Sequence, residues 1–176
     1  MVRRLFLMRH GKAAWPEGVP DHERPLAPRG VATVPKMAEK LKGLAEEFDL
    51  ALVSDARRTR ETFAGIKSII PDLEPRFMPE IYEAQPGALL DVVQSLPIFA
   101  RNVLMVGHNP GLQSLALYLA HPETSEPDAL RRLERKLPTA GLIHLELPVS
   151  WDEIDSGWAR LVHFVTPGMI GGIDED

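Results

Sequence analysis

Residues 5–13 read Leu5-Phe6-Leu7-Met8-Arg9-His10-Gly11-Lys12-Ala13, four apolar side chains running straight into an arginine and a histidine. An unbroken apolar run, as opposed to an alternating one, is how a strand reads when helices cover both faces of its sheet. The pattern recurs twice. Leu50-Ala51-Leu52-Val53 leads into Ser54-Asp55-Ala56-Arg57-Arg58-Thr59, and Asn102-Val103-Leu104-Met105-Val106 leads into Gly107-His108-Asn109-Pro110.

Helical periodicity fills the intervals. Val31, Val34, Met37, Leu41, Leu44 and Phe48 recur at steps of three and four, which predicts a helix with Pro35 in its first turn. Further helices are predicted over residues 57–70, 86–96 and 111–120, and a short one around 128–136 inside the charged segment His121 to Pro138. Phe77 to Tyr82 reads as a short strand, and Leu142 to Leu147 and Ala159 to Val165 as two more. Alternation of this kind predicts an α/β fold, a three-layer α/β/α sandwich around a mainly parallel central sheet. Ligands of such sheets sit beyond the carboxyl ends of the strands, where strand order reverses. The residues directly after each strand are therefore the ones to inspect.

The 176 residues suit a single domain, expected over residues 1–170, with the glycine-rich, acidic residues 171–176 as a disordered tail. A net charge of −5 argues against nucleic acid as the main partner. Fourteen arginines against six lysines favour planar guanidinium recognition of oxyanions. The absence of cysteine excludes a thiol nucleophile, thiolate metal sites and a disulfide scaffold. The apolar run after Met1-Val2-Arg3-Arg4 is too short for a signal peptide or a membrane span, so the expected location is cytoplasmic, with no membrane partner.

Three strand ends thus offer a histidine beside an arginine, an arginine-rich turn opening a helix, and a second histidine before another helix. Imidazoles and guanidiniums converging on one rim make a phosphoryl site that needs no metal and no other cofactor. The plainer reading of any one of them is a loop histidine or a solvated face, and it is the reading given to His22, His121, His144 and His163. For Arg57, Arg58 and Arg60 a solvated face is the weaker account. A helix N-terminus disfavours cations, so their concentration there points to a bound anion.

Leu7 to Ala13 resembles the signature of the histidine phosphatase superfamily, the phosphoglycerate mutase-like group. Ser54 to Thr62 is similar to its S-x-x-x-R-x-x-x-T segment, and Val106 to Pro110 to its second-histidine motif. Arg24-Pro25-Leu26-Ala27-Pro28-Arg29-Gly30 resembles the R-P-L-x-x-x-G stretch of the short SixA-like phosphohistidine phosphatases. The resemblance implies a phosphoglycerate mutase-like fold and a phosphatase acting through a covalent phosphohistidine on His10. Arg9, Arg24 and Arg58 would grip the non-bridging oxygens, and His108 would donate to the transferring phosphoryl group. Glu80 is the expected general acid, with Glu83 second.

Ala13 to Gly18 lack the asparagine of the mutases, and the chain is too short for their insertions, so hydrolysis is favoured over mutase chemistry. The substrate is expected to be a phosphorylated protein, protein phosphohistidine foremost. A small phosphorylated metabolite is the second possibility, and a non-catalytic phosphate-binding module the third. Trp151 and Trp158 are open between core packing and a contact surface.

Overall fold

The apolar run of residues 5–8 becomes the centre of the molecule. In the computed structural model, which describes residues 2–176, it forms β1 (Arg3–Arg9). Leu5, Phe6, Leu7 and Met8 are all fully buried. Leu5 and Leu7 enter one apolar cluster while Phe6 and Met8 enter the other, because successive side chains leave opposite faces of a strand. Burying each contributes about 1.5–3 kcal/mol.

The remaining elements come in alternation: α1 (Pro28–Lys42), β2 (Leu50–Ser54), α2 (Arg57–Lys67), β3 (Pro75–Met78), α3 (Pro86–Gln94), β4 (Asn102–Gly107), α4 (Gly111–Leu119), α5 (Pro127–Arg135), β5 (Leu142–Leu147) and β6 (Arg160–Val165). The sheet runs β3-β2-β4-β1-β5-β6. β1 to β4 are parallel, and β5 and β6 form an antiparallel extension beyond β1. Val34, Met37, Leu41, Phe63 and Ile66 carry α1 and α2 onto one face. Leu89, Val93, Leu112, Leu115, Leu119 and Leu133 carry α3, α4 and α5 onto the other. This is the expected mixed α/β sandwich. Among the described residues no helix is long and apolar enough to cross a membrane.

Two local expectations change. α1 starts at Pro28 and runs through Pro35, which lies inside the helix instead of in its first turn. The amide Pro35 lacks would have met the carbonyl of Val31, a residue on the exposed flank of α1, where an unpaired carbonyl is least costly. The strand expected over residues 77–82 ends at Met78, and Pro79–Ile81 form a 3-10 turn.

Trp151 is core: it is buried, and its indole N–H donates to the Ala100 carbonyl at 2.8 Å. Trp158 is exposed and lines a shallow cavity with His121 and Arg160. His144 also departs from expectation. It is a buried strand residue stacked on Phe6, with ring centroids 4.5 Å apart, and not a loop histidine.

Residues 171–176, expected to be disordered, are tied to the fold. The Asp174 carboxylate accepts from the Gly168 amide at 2.7 Å and from the Thr166 hydroxyl at 3.1 Å, and the Thr139 amide donates to the Glu175 carbonyl at 2.8 Å.

Candidate active site

Strand order reverses between β1 and β4, so a crevice opens where their carboxyl ends lie side by side. Arg9 is register partner to Gly107, which brings the next residues, His10 and His108, together with ring centroids 5.4 Å apart. His10 is buried, and its Nδ1 lies 2.7 Å from the Gly11 carbonyl. A carbonyl only accepts, so Nδ1 carries the proton and Nε2 keeps its lone pair. Burial, and then the charges of His108, Arg9 and Arg58, hold the His10 pKa well below the usual imidazole value, against the Gly11 bond.

The S-x-x-x-R-x-x-x-T spacing acquires a physical meaning here. Ser54 ends β2, and its Oγ lies 2.7 Å from His108 Nε2. The Ala56 amide donates to the same Oγ at 3.4 Å. His108 Nδ1 is buried without a partner among the described residues. Burial and then Arg58 push the His108 pKa down to about 3. Arg58 and Thr62 stand one turn apart on α2. Thr62 accepts the Gly11 amide at 3.0 Å and so clamps the loop behind His10. Gly30 completes the clamp, since a Cβ there would lie 2.2 Å from the Lys12 carbonyl.

Arg9, Arg24 and Arg58 all reach one cavity of about 420 Å³, which His10 and His108 also line. Arg9 donates to the Leu137 carbonyl at 2.9 Å. Arg24 donates to the Ala14 carbonyl at 3.0 Å and lies over the Trp15 ring, 3.2 Å from its centroid. Arg58 donates to the Asp21 carbonyl at 2.8 Å. The Nε atoms of Arg9 and Arg58 are buried without partners among the described residues. Arg57 and Arg60 point elsewhere: Arg57 pairs with Glu61, and Arg60 lies over Phe77.

Asp21 was not a sequence expectation. Its carboxylate accepts from Arg24 and Arg58, each at 3.1 Å, and from the Tyr82 hydroxyl at 2.5 Å. Burial works to raise its pKa, but the bonds from Tyr82 and Arg24 and the Arg58 charge outweigh it. The carboxyl is held far below the usual range. Tyr82 is pushed up to about 12, by burial and then by this bond. Only the spacing Asp21-x-x-Arg24 hinted at the pair, and three-residue acid–base spacings are too common to decide anything.

Glu80 is a correction. The turn at Pro79–Ile81 carries it to a separate cavity lined by Leu52, Arg76 and Asp91. Glu83 lines the cavity of His10 and His108 instead. It holds a φ of +50°, an uncommon conformation for a side chain that is not glycine. Gly111 allows that turn to close on α4, because a Cβ there would lie 2.4 Å from the Ala84 carbonyl. Among the described residues no group of three or more histidines, aspartates or glutamates is disposed to hold a metal ion.

The sequence pattern of the histidine phosphatase superfamily (branch 1) matches residues 5–95. An uncharacterized protein of Mycobacterium tuberculosis (strain H37Rv) is 34% identical over 162 residues, covering 91% of this chain and 99% of that protein. A structure from Nakamurella multipartitia, assigned as a phosphohistidine phosphatase SixA, superposes with a TM-score of 0.83 at 28% identity, covering 95% of this chain and 97% of that one. A second with the same assignment, from Agrobacterium tumefaciens, gives a TM-score of 0.76 at 27% identity over 94% and 98%.

Proposed function

The chain belongs to branch 1 of the histidine phosphatase superfamily and is a phosphatase of that metal-independent class, and from this premise we propose that it hydrolyses phosphohistidine on a protein through a phosphoryl group carried on its own His10. The observation that carries the reading is the His10 ring, whose Nδ1 bond to the Gly11 carbonyl leaves Nε2 as a lone-pair nucleophile inside a ring of guanidiniums.

In the first step Nε2 forms a bond to phosphorus as the P–N bond of the substrate breaks in line. The electron pair returns to the leaving imidazole, whose second nitrogen bears the proton, so the ring departs neutral. Arg9, Arg24 and Arg58 take the charge of the equatorial oxygens, and His108 donates its otherwise unpartnered Nδ1–H to one of them. In the second step water attacks phosphorus, the bond to His10 breaks and phosphate leaves. The proton of the attacking water passes to solvent, and the general-acid role expected of Glu80 falls to Glu83 only where a leaving group must be protonated. The proposed location is cytoplasmic.

Likeness to the two SixA-assigned structures supports phosphohistidine as substrate. Glu83 in the cavity favours a second reading, a phosphatase for small phosphomonoesters, since an alkoxide needs an acid that a protonated imidazole does not. The deciding experiment compares turnover of a phosphohistidine peptide with a panel of phosphomonoesters, using wild type and Glu83→Gln. Phosphohistidine preferred by at least about tenfold in kcat/KM, and kept by Glu83→Gln, supports the first reading. Esters preferred, and lost in Glu83→Gln, would establish the second.

A further inference from the structure

The acidic residues 174–176 do not trail into solvent. Gly171, at a φ of +91°, turns the chain back, and the Gly172 amide donates to the Pro167 carbonyl at 2.8 Å. Asp174 is held by Gly168 and Thr166, and Glu175 by the buried Thr139. Those anchors deliver Asp176 to the mouth of the phosphoryl cavity, which it lines beside Lys12 and Arg9. There the Lys12 ammonium donates to the Asp176 main-chain oxygen at 3.0 Å, and Lys136 pairs with its carboxylate at 3.3 Å. Arg29 pairs with Glu175 at 2.7 Å.

The rim therefore carries cations that the phosphoryl chemistry does not use. Arg9, Arg24 and Arg58 line the cavity with both histidines, Lys12 lines it beside Asp176, Lys136 borders the neighbouring cavity, and both lysines are engaged by the chain's own acidic segment. Exposed pairs of this kind are weak and easily exchanged. Asp176 is 87% exposed in its side chain, so an incoming carboxylate can displace it. Tethering compensates for weakness, since a short segment presents its charge at millimolar effective concentration.

We propose that Lys12 and Lys136 form a carboxylate subsite beside the phosphoryl pocket, taking an acidic side chain that flanks the phosphorylated residue of a protein substrate, with residues 174–176 as its intramolecular occupant. The inference rests on the reading of the cavity as a phosphatase site and adds the character of the substrate's flanks. Substrate and segment then compete for the same two ammonium groups.

The test uses two phosphohistidine peptides that differ only in flanking Asp and Glu against Asn and Gln, assayed on wild type, Lys12→Gln/Lys136→Gln and Glu175→Gln/Asp176→Asn. Wild type is expected to show a KM about three- to tenfold lower for the acidic peptide, and the lysine variant to lose that preference with kcat within about twofold. The segment variant is expected to lower KM for the acidic peptide by about two- to fivefold at unchanged kcat. Equal KM values for the two peptides in wild type, or a preference that survives in the lysine variant, would overturn the subsite.

If wild type hydrolyses neither peptide, the phosphohistidine reading fails, and the subsite is judged by binding alone. The free peptide Ile-Asp-Glu-Asp is then titrated into Glu175→Gln/Asp176→Asn, with tryptophan emission reporting through Trp15 at the mouth. Saturable binding that weakens at least about threefold when Lys12→Gln and Lys136→Gln are added supports the subsite. No saturation at about 10 mM overturns it.

Discussion

The molecule holds two histidine pairs of nearly equal spacing and opposite character. His10 and His108, at the carboxyl ends of parallel strands, have ring centroids 5.4 Å apart; His144 and His163, on the antiparallel extension, have theirs 5.3 Å apart. Burial lowers the pKa in both places, to about 3 at His108 and about 4 at His144. The difference lies in what each ring faces. His144 and His163 stack and turn Nδ1 toward Nδ1 at 3.1 Å, and His144 packs on Phe6 with its Nε2 buried without a partner among the described residues. His10 ties Nδ1 to the Gly11 carbonyl and His108 ties Nε2 to Ser54, and both rings line a cavity shared with three guanidiniums. A depressed imidazole pKa, or a nitrogen left without a partner, marks burial; a place for a reacting group among complementary charges marks a site.

The contrast is broken most decisively by removing one ring from each pair. His10→Ala is expected to lower kcat for an aryl phosphate at least about 10³-fold, while His144→Phe leaves it within about twofold. Comparable losses in both variants, measured in steady state, would erase the distinction. Arg58→Lys tests the fork geometry next. An ammonium cannot reproduce the two bonds to Asp21 together with a free edge toward phosphate, so kcat/KM should fall about 10- to 100-fold, with thermal unfolding shifted only a few degrees.

Acid titration sharpens the comparison further. All three depressed imidazoles stay neutral in the folded protein as pH falls below 6.5, whereas the unfolded chain takes up protons there. Stability therefore drops on acidification, by up to about 1.4 kcal/mol per pH unit for each ring. The loss continues down to about 4 for His144 and about 3 for His108. Urea midpoints between pH 7 and 5 measure this, and His144→Phe should flatten the slope. Activity behaves differently: because His10 remains neutral, kcat/KM should not lose the nucleophile between pH 7 and 5.5. An acid limb near pH 6.5 that His144→Phe leaves in place would contradict the depressed His10 pKa.

The smallest expected effect belongs to Asp21→Asn, which keeps the size of the brace and removes its charge. The loss in kcat/KM should be about threefold to tenfold, carried mainly by KM, because Arg24 and Arg58 keep their main-chain bonds.

Much of this was legible in the sequence. Leu5 to Met8, Leu50 to Val53 and Asn102 to Val106 announced buried parallel strands, and His10, Arg58 and His108, just beyond their carboxyl ends, converge on one cavity. Local periodicity suffices there, because burial on both faces leaves an unbroken apolar run and the end of that run marks the rim. Glu80 and Glu83 show where legibility stops. They are three residues apart in equivalent composition, and a single 3-10 turn sends one to another cavity and the other to the site.

What the sequence by itself determined was the alternation of elements, the absence of thiol chemistry, and the arginines and histidines that stand just beyond the strand ends, all properties of near neighbours along the chain. The tertiary structure alone decided that Asp21 braces two arginines, that Glu83 and not Glu80 faces the pocket, and that residues 174–176 return to its rim. A carboxylate looks the same in sequence wherever it lies. Its partners, and therefore its charge state and its work, are set by groups brought beside it from distant parts of the chain.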